Sequence, residues 1–359
     1  MKKNKKILQV ISKLDSGGAE KVVVDICNLL IKKNYEVTIL FTRSPGPLSK
    51  FLNPKVKQIS LDRGNKFSLL AIVKCLKVLI DYDIIHVHLR NTFYYVKLIM
   101  SILPMKNWNL IFHDHYGGID IDERTPIFFQ LFNNNYEYIG VSESLCNWAK
   151  DNIKGLNNIY KLPNIRVMNN SNKLDDLEKI AKDEKTLRFV HVSNMHPIKN
   201  LEHSILLIDA LKKEKKVSLT IYGAKSDKIY HSSLIKLINS LKLNDIIEII
   251  DDELDIPSIL SSYDFGLYTS KSETGPLVLI EYLCKGIPFL SFDTGEVLKT
   301  VKKNYPLFAI NNFDVKKWEN RIDDLLKKRY DKKEMVKFYN ENFSPEVYLD
   351  NLIKIYSLF

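Results

Sequence analysis

The apolar positions along the chain fall into two alternating series. In the first, Ile7–Ser12 predicts a buried strand, and Gly17–Lys33 predicts a helix with Val22, Val23, Ile26, Leu29 and Leu30 on one face and Ser16 as its N-cap. Strands are expected at Glu36–Thr42, Lys55–Leu61, Ile84–His88, Asn109–His113 and Glu137–Ser142, with helices at Ser68–Ile80 and Glu143–Asn152. The alternation lapses between Leu162 and Glu184. Pro163, several asparagines and the charged run Lys173 to Lys185 place a linker there. A second series then begins. It has strands at Leu187–Ser193, Val217–Tyr222, Ile246–Ile250, Asp264–Tyr268 and Pro288–Phe292. Its helices are Asn200–Lys212, Tyr230–Leu241, Ile256–Ser261 and Pro276–Lys285, and the tail from Asp314 to Phe359 reads as helix broken at Pro345. Strand–helix alternation marks parallel sheets covered on both faces, so the pattern predicts two α/β domains facing each other across a cleft. Ligands of open α/β sheets bind at the carboxyl ends of strands.

Length and composition agree with two cores. At 359 residues, 45% apolar and 27% charged, the chain is an ordinary globular protein and not a disordered one. Cys27, Cys75, Cys146 and Cys284 form no CxxC, which argues against a disulfide scaffold or a cysteine zinc site and suits a reducing cytoplasm. The apolar run after the basic Met1–Lys6 is too short for a signal peptide, and Lys74, Lys77 and Lys97 interrupt the longest apolar stretches, so no membrane span is expected. The net charge of +10 is lopsided. Residues 1–165 hold 23 Lys+Arg against 14 Asp+Glu, an excess of nine, while residues 166–359 hold 30 against 29. A basic first half suits an anionic partner, whether phosphate, nucleic acid or an anionic membrane face. A lysine-rich solvated surface explains the same numbers.

The densest candidate chemistry is Ser272-Glu273-Thr274-Gly275-Pro276-Leu277-Val278-Leu279-Ile280-Glu281, followed by Gly286-Ile287-Pro288. Glu273 falls in a loop after a strand, and Glu281 falls inside the next helix. Pro276 suits the first helical position, with Gly275 leaving room before it. The N–H groups of Leu277 and Val278 then face out of the helix end, where an anion binds. Pro276 and Glu281 are about 7.5 Å apart along such a helix. A sugar nucleotide has the matching layout of sugar hydroxyls, diphosphate and ribose diol. Further back, Asn194 lies in the short loop after strand Leu187–Ser193 and Lys199 stands at the start of the next helix, where a lysine can neutralise a leaving diphosphate. Gly17 and Gly18, between the first strand and helix, let backbone approach a ligand. No acidic residue follows Phe41-Thr42-Arg43, which counts against a dinucleotide enzyme. The pairs His86/His88 and His113/His115, and the strings Asp81-Tyr82-Asp83 and Asp120-Ile121-Asp122, are the only metal-like spacings. No basic stripe interleaved with aromatics marks a nucleic-acid binder.

Taken together, these residues resemble glycosyltransferase family 4, retaining enzymes of the GT-B fold, over almost the whole length. The resemblance rests on Gly17-Gly18-Ala19-Glu20, His86-Val87-His88, Phe112-His113, Val141-Ser142-Glu143, Lys199-Asn200 and the Glu273…Glu281 element with Gly286-Ile287-Pro288. It implies that Glu273 contacts the donor sugar, Glu281 the ribose, and the amides of Gly275 to Val278, spanning Pro276 and Leu277, the phosphates and sugar. It further implies Lys199 on the diphosphate, His113 near sugar and phosphate, and Gly17-Gly18 beside donor and acceptor. The family usually has arginine where this chain has Asn194, so Lys199 or another arginine would carry the diphosphate charge. The implied domains are 1–165, with a helix from about 345 to 359 crossing back, and 166–344. The implied activity is transfer from a UDP- or GDP-sugar to a glycan or lipid-diphosphate-linked acceptor in bacterial surface polysaccharide synthesis. Neither metal nor cofactor is expected. The expected setting is the cytoplasm, with peripheral contact at the inner face of the membrane. A sugar-nucleotide epimerase or hydrolase on the same fold is the alternative.

Overall fold

The computed structural model describes residues 5–64, 68–104, 106–119, 122–127, 129, 135–167, 186–251, 253, 255–328 and 330–359. Most of the linker expected at 163–185, and Asp120 and Ile121 of the second acidic string, lie outside the described residues. The chain divides into two compact units, Met1–Arg166 with Pro345–Phe359, and Val167–Ser344.

The first unit is built on a parallel sheet of seven described strands. They are β1 (Lys6–Ile11), β2 (Glu36–Phe41), β3 (Lys57–Ser60), β4 (Ile84–His88), β5 (Leu110–Asp114), β6 (Glu137–Gly140) and β7 (Asn158–Lys161), in spatial order β3-β2-β1-β4-β5-β6-β7. Every residue of β4 and β5 is buried, as a strand covered on both faces requires. The covering helices are α1 (Gly18–Lys32), α2 (Leu69–Ile80), α3 (Arg90–Met100) and α4 (Glu143–Asn152). Ser68 and Ser142 cap α2 and α4 by accepting from the Ala71 and Leu145 N–H groups. Two features depart from the sequence reading. α1 starts one residue late, with Gly17 rather than Ser16 as N-cap. The sequence pattern marks neither α3 nor β7. In α3 the exposed Tyr94 and Leu98 blur the polar face that would have revealed a helix. Strand order reverses between β1 and β4, so the unit's switch point lies at the ends of these strands. The Asp81-Tyr82-Asp83 string sits at the opposite, amino end of β4, where the Asp83 carboxylate accepts from the Lys6 N–H (2.8 Å).

The second unit carries six described parallel strands. They are β8 (Leu187–Val192), β9 (Val217–Tyr222), β10 (Ile247–Ile250), β11 (Phe265–Tyr268), β12 (Phe289–Phe292) and β13 (Ala309–Ile310), ordered β10-β9-β8-β11-β12-β13. Its described helices are α5 (Leu201–Leu211), α6 (Lys228–Ser240), α7 (Ile256–Ile259), α8 (Leu277–Lys285), α9 (Glu296–Val301), α10 (Val315–Lys328) and α11 (Lys332–Asn342). The switch point falls between β8 and β11. The tail expected as helix broken at Pro345 does start a new helix there, and a further break after Lys328 makes it three elements. α10 and α11 belong here, and α12 (Pro345–Tyr356) packs against α1 of the first unit. There Tyr356 reaches under β1 and β4: its hydroxyl accepts from Gln9 Nε2 (2.9 Å) and lies 2.8 Å from His86 Nδ1.

Candidate active site

At the second unit's switch point, two loops are stitched together by backbone. After β8 the chain makes a 3-10 turn at Pro197–Lys199, passes Asn200 in the left-handed region (φ 52°), and enters α5. Lys199 therefore ends a turn rather than starting a helix. After β11, Thr269 Oγ1 donates to the carbonyls of Lys199 (3.0 Å) and Asn200 (2.8 Å), and the Lys271 N–H donates to Ile198 O (2.8 Å). These bonds fix the direction of the Lys199 side chain. Its Nζ pairs with Glu273 Oε1, which also accepts from Tyr268 OH (2.7 Å) and Ser270 Oγ (2.8 Å). Three donors thus converge on Oε1 of this carboxylate. Both side chains are largely covered, at 22% and 12% exposed. Burial, reinforced by the Glu273 charge, pushes the Tyr268 hydroxyl well above its usual range, so it stays a donor.

The loop carrying Glu273 is held from behind by residues outside the sequence motifs. The Glu273 N–H donates to Thr294 Oγ1 (3.0 Å), and the Glu296 N–H donates to Thr274 O (2.8 Å). Gly295 sits at φ 82°, and a Cβ there would meet Pro276 Cδ at 2.7 Å, so only glycine lets the α9 entry approach this closely. The string Asp293-Thr294-Gly295-Glu296, directly after a strand, was the available signal. Pro276 is the N-cap of α8 and not its first helical residue. The displacement leaves the first-turn N–H groups of Leu277, Val278 and Leu279 without intrahelical partners, as any helix start does. Glu281 is 1% exposed, so a diol reaches it only by displacing what now covers it.

Asn194 lies in the turn after β8. Gly223 allows β9 to end against that turn, since a Cβ there would lie 1.9 Å from Ser193 O. No described arginine of this unit compensates for Asn194. Arg188 bonds Asp264 at the amino end of β8, and Arg321 donates to the carbonyls of Leu307 and Ala309. Lys199 is the cation paired with Glu273.

The first unit brings the other sequence candidates together at the ends of β4 and β5. His88 pairs in register with His113, and the rings of His86, His88, His113 and His115 lie 4.1 to 5.4 Å apart, centroid to centroid, in contacting pairs. His88 Nε2 lies 2.7 Å from Gln9 Oε1, which fixes it as the protonated nitrogen because the amide oxygen only accepts. Burial holds all four well below the usual histidine range, His86 and His115 at about 3, so the cluster is neutral. Both ring nitrogens of His113 are buried without a hydrogen-bond partner among the described residues. Nitrogens of His86, His88 and His113 lie within 4.8 Å of one another. That spread exceeds the roughly 3.3 Å edge of a tetrahedral zinc site with 2.0–2.1 Å bonds, so a metal would have to draw the rings inward. Asp114 faces the other way, to Arg90 (2.7 Å) and the Tyr138 hydroxyl (2.9 Å). Gly17 and Gly18 open α1, but the Glu20 carboxylate folds back over Gly17, where a Cβ would meet its Oε2 at 2.2 Å. The α1 end is thus occupied by the chain's own carboxyl, which burial pushes above its usual range.

Two family models match this chain: glycosyl transferases group 1 over residues 172–343, and Glycosyltransferase Family 4 over residues 16–154. A relative, N-acetyl-alpha-D-glucosaminyl L-malate synthase of Bacillus anthracis, is 21% identical over 304 residues, covering 80% of this chain and 78% of that protein. Among solved structures, Anabaena HepE in complex with UDP and glucose superposes with a TM-score of 0.80 at 15% identity, over 99% of this chain and 100% of that one. Sucrose-phosphate synthase of Thermosynechococcus elongatus gives 0.79 at 14% identity, over 99% and 98%. At these identities the structural likeness is one of fold.

Proposed function

Because the chain belongs to the family 4 glycosyltransferases of the GT-B fold, we propose that it moves a sugar, with retention, from a nucleoside diphosphate sugar to a hydroxyl of a glycan. The carrying observation is the Lys199–Glu273 pair beside the α8 start at the second unit's switch point. In this reading the bond from the anomeric carbon to the diphosphate breaks, the acceptor oxygen bonds that carbon, and the acceptor proton passes to the departing phosphate oxygen. The protein positions the partners and supplies positive potential. Lys199 and the first-turn amides of α8 meet the negative charge, Glu273 takes a sugar hydroxyl, and neutral His113 offers hydrogen bonding without charge. UDP-sugars are the first donors to test, since HepE holds UDP and glucose, and GDP-sugars the next. The proposed acceptor is a surface-polysaccharide intermediate, lipid-diphosphate-linked or otherwise anionic, met by the basic first unit. The test is a thermal-shift screen of sugar nucleotides followed by transfer assays. Release of free sugar from the donor at the full rate without any acceptor would point to a hydrolase instead.

Two predictions follow from these assignments. Glu281→Ala should raise the donor KM roughly ten- to hundredfold with little change in kcat. A ribose contact is made equally in ground and transition states, and losing a charged hydrogen-bond partner costs about 1.5–3 kcal/mol. Isothermal titration with the donor checks it, and unchanged affinity would remove the ribose role. Transfer should also survive EDTA undiminished, because Lys199 and helix amides serve the diphosphate in place of a divalent ion. Loss of activity on chelation, restored by magnesium or manganese, would reverse that assignment.

A further inference from the structure

The helix α2 is apolar nearly all round, yet its outer face is bare. Of its twelve residues, LLAIVKCLKVLI, only Lys74 and Lys77 are polar. Ala71, Cys75 and Leu79 are buried against the sheet. On the opposite side Leu69 is 73% exposed, Leu70 85%, Val73 44% and Ile80 42%. With 3.6 residues per turn, Leu69, Ile80 and Val73 fall within about 40° of arc, and Lys77, Leu70 and Lys74 fill about the next 100°. A helix apolar on every side is normally covered. The helix α3 packs beside α2 and also exposes Leu98, with Ile102 just after it at 52%. Lys106 closes the far end, its Nζ 3.4 Å from the Ile80 carbonyl.

We infer that the outer face of α2, with α3 beside it, docks onto an anionic lipid bilayer. The pattern of leucine and lysine interleaved on one exposed arc suits that occupant. Apolar side chains enter the headgroup boundary while lysines on long stems stay with the phosphates. Two-fold pairing with a second copy would instead enclose Lys74 and Lys77 of both copies, four like charges to desolvate, in one interface. The excess of nine positive charges in residues 1–165 adds long-range attraction of the right sign. None of this depends on which sugar the protein moves, or on whether it moves one. No described helix is long and apolar enough to cross a membrane, so the contact is one of lying on the surface.

The test uses the full chain, sedimented with vesicles of phosphatidylcholine, with and without phosphatidylglycerol. Wild-type protein should partition at least tenfold more strongly onto the anionic vesicles, and less so as salt rises. The double variant Leu69→Gln with Leu70→Gln should lose at least tenfold in partition at unchanged melting temperature, because both side chains are solvent-exposed. Lys74→Gln with Lys77→Gln should weaken binding severalfold and flatten its salt dependence. The inference is overturned if wild-type protein stays in the supernatant at low salt, or if the leucine variant binds as wild type does. It also falls if sedimentation velocity shows a wild-type dimer that the leucine variant abolishes, for then a second copy covers the face.

Discussion

Lys199→Ala should lower kcat by roughly a hundred- to a thousandfold, the range seen when one preorganised donor is removed from a developing negative charge. The structure adds a complication that makes the experiment sharper. Lys199 and Glu273 are bonded to each other, largely covered from water. Removing the lysine strips the cation from a carboxylate that keeps only the Tyr268 and Ser270 hydroxyls, and breaking a buried pair on one side costs about 3–5 kcal/mol. Lost turnover and lost stability would therefore arrive together. The double variant Lys199→Met with Glu273→Gln separates them. It removes both charges, so melting temperature should return toward wild type while kcat stays low. If the double variant regains turnover with stability, the pair is a structural tie and the proposed role of Lys199 at the leaving diphosphate is wrong.

Acid should unfold the first unit at a pH where most proteins are comfortable. In the unfolded chain the four clustered histidines titrate near 6.5. In the folded chain burial holds His86 and His115 at about 3 and His88 and His113 well below their usual range. Since the folded pKa is depressed, the unfolded state binds more protons below pH 6.5, and stability falls as pH falls from there. Below the unfolded pKa each ring contributes about 1.4 kcal/mol per pH unit, and about one unit of the step from pH 7.5 to 5.5 lies there, so the step should cost about 5 kcal/mol for four, comparable with the whole stability of many domains. The groups facing the rings are the Tyr356 hydroxyl, the Gln9 amide and Asn164, and the Asp114 carboxylate is turned away to Arg90. Among the described residues, no anion is therefore on hand to rescue a protonated ring. Denaturant midpoints at the two pH values, read through amide exchange of β4 and β5, check this, with His231→Ala as a control that leaves the drop unchanged. A loss below about 1.5 kcal/mol would mean that the rings accept protons without unfolding.

Much of this architecture could be read from the chain before any coordinates. Ile84–His88 and Leu187–Ser193 announce themselves because a covered strand needs little but apolar residues. The loops carrying Lys199 and Glu273 follow from their place after such strands. What could not be read is which loops meet. Lys199 and Glu273 are 74 residues apart, and they touch because β8 lies beside β11, an adjacency that no local pattern encodes. The histidine cluster has the same origin in the β4–β5 pairing. Short elements escaped for another reason: β13 has two residues and α9 six, too few for a periodicity to show. The folding of Glu20 over Gly17 and the burial of Glu281 depend on side-chain direction, which spacing alone leaves open.

The return of α12 to the first unit has a consequence for how the protein is born. Gln9 and Tyr356 are bonded across 347 residues. Strands β1 and β4 emerge early from a ribosome, but the hydroxyl that satisfies Gln9 and His86 arrives only after the whole second unit has been translated. At about 5–20 residues per second, the first sheet waits some tens of seconds with buried polar groups unmatched and the α12-facing side of α1 uncovered. The second unit, one continuous stretch from 167 to 344, has no such wait. The early-synthesised half is thus the late-finishing half, and during that interval it is the natural client of a chaperone.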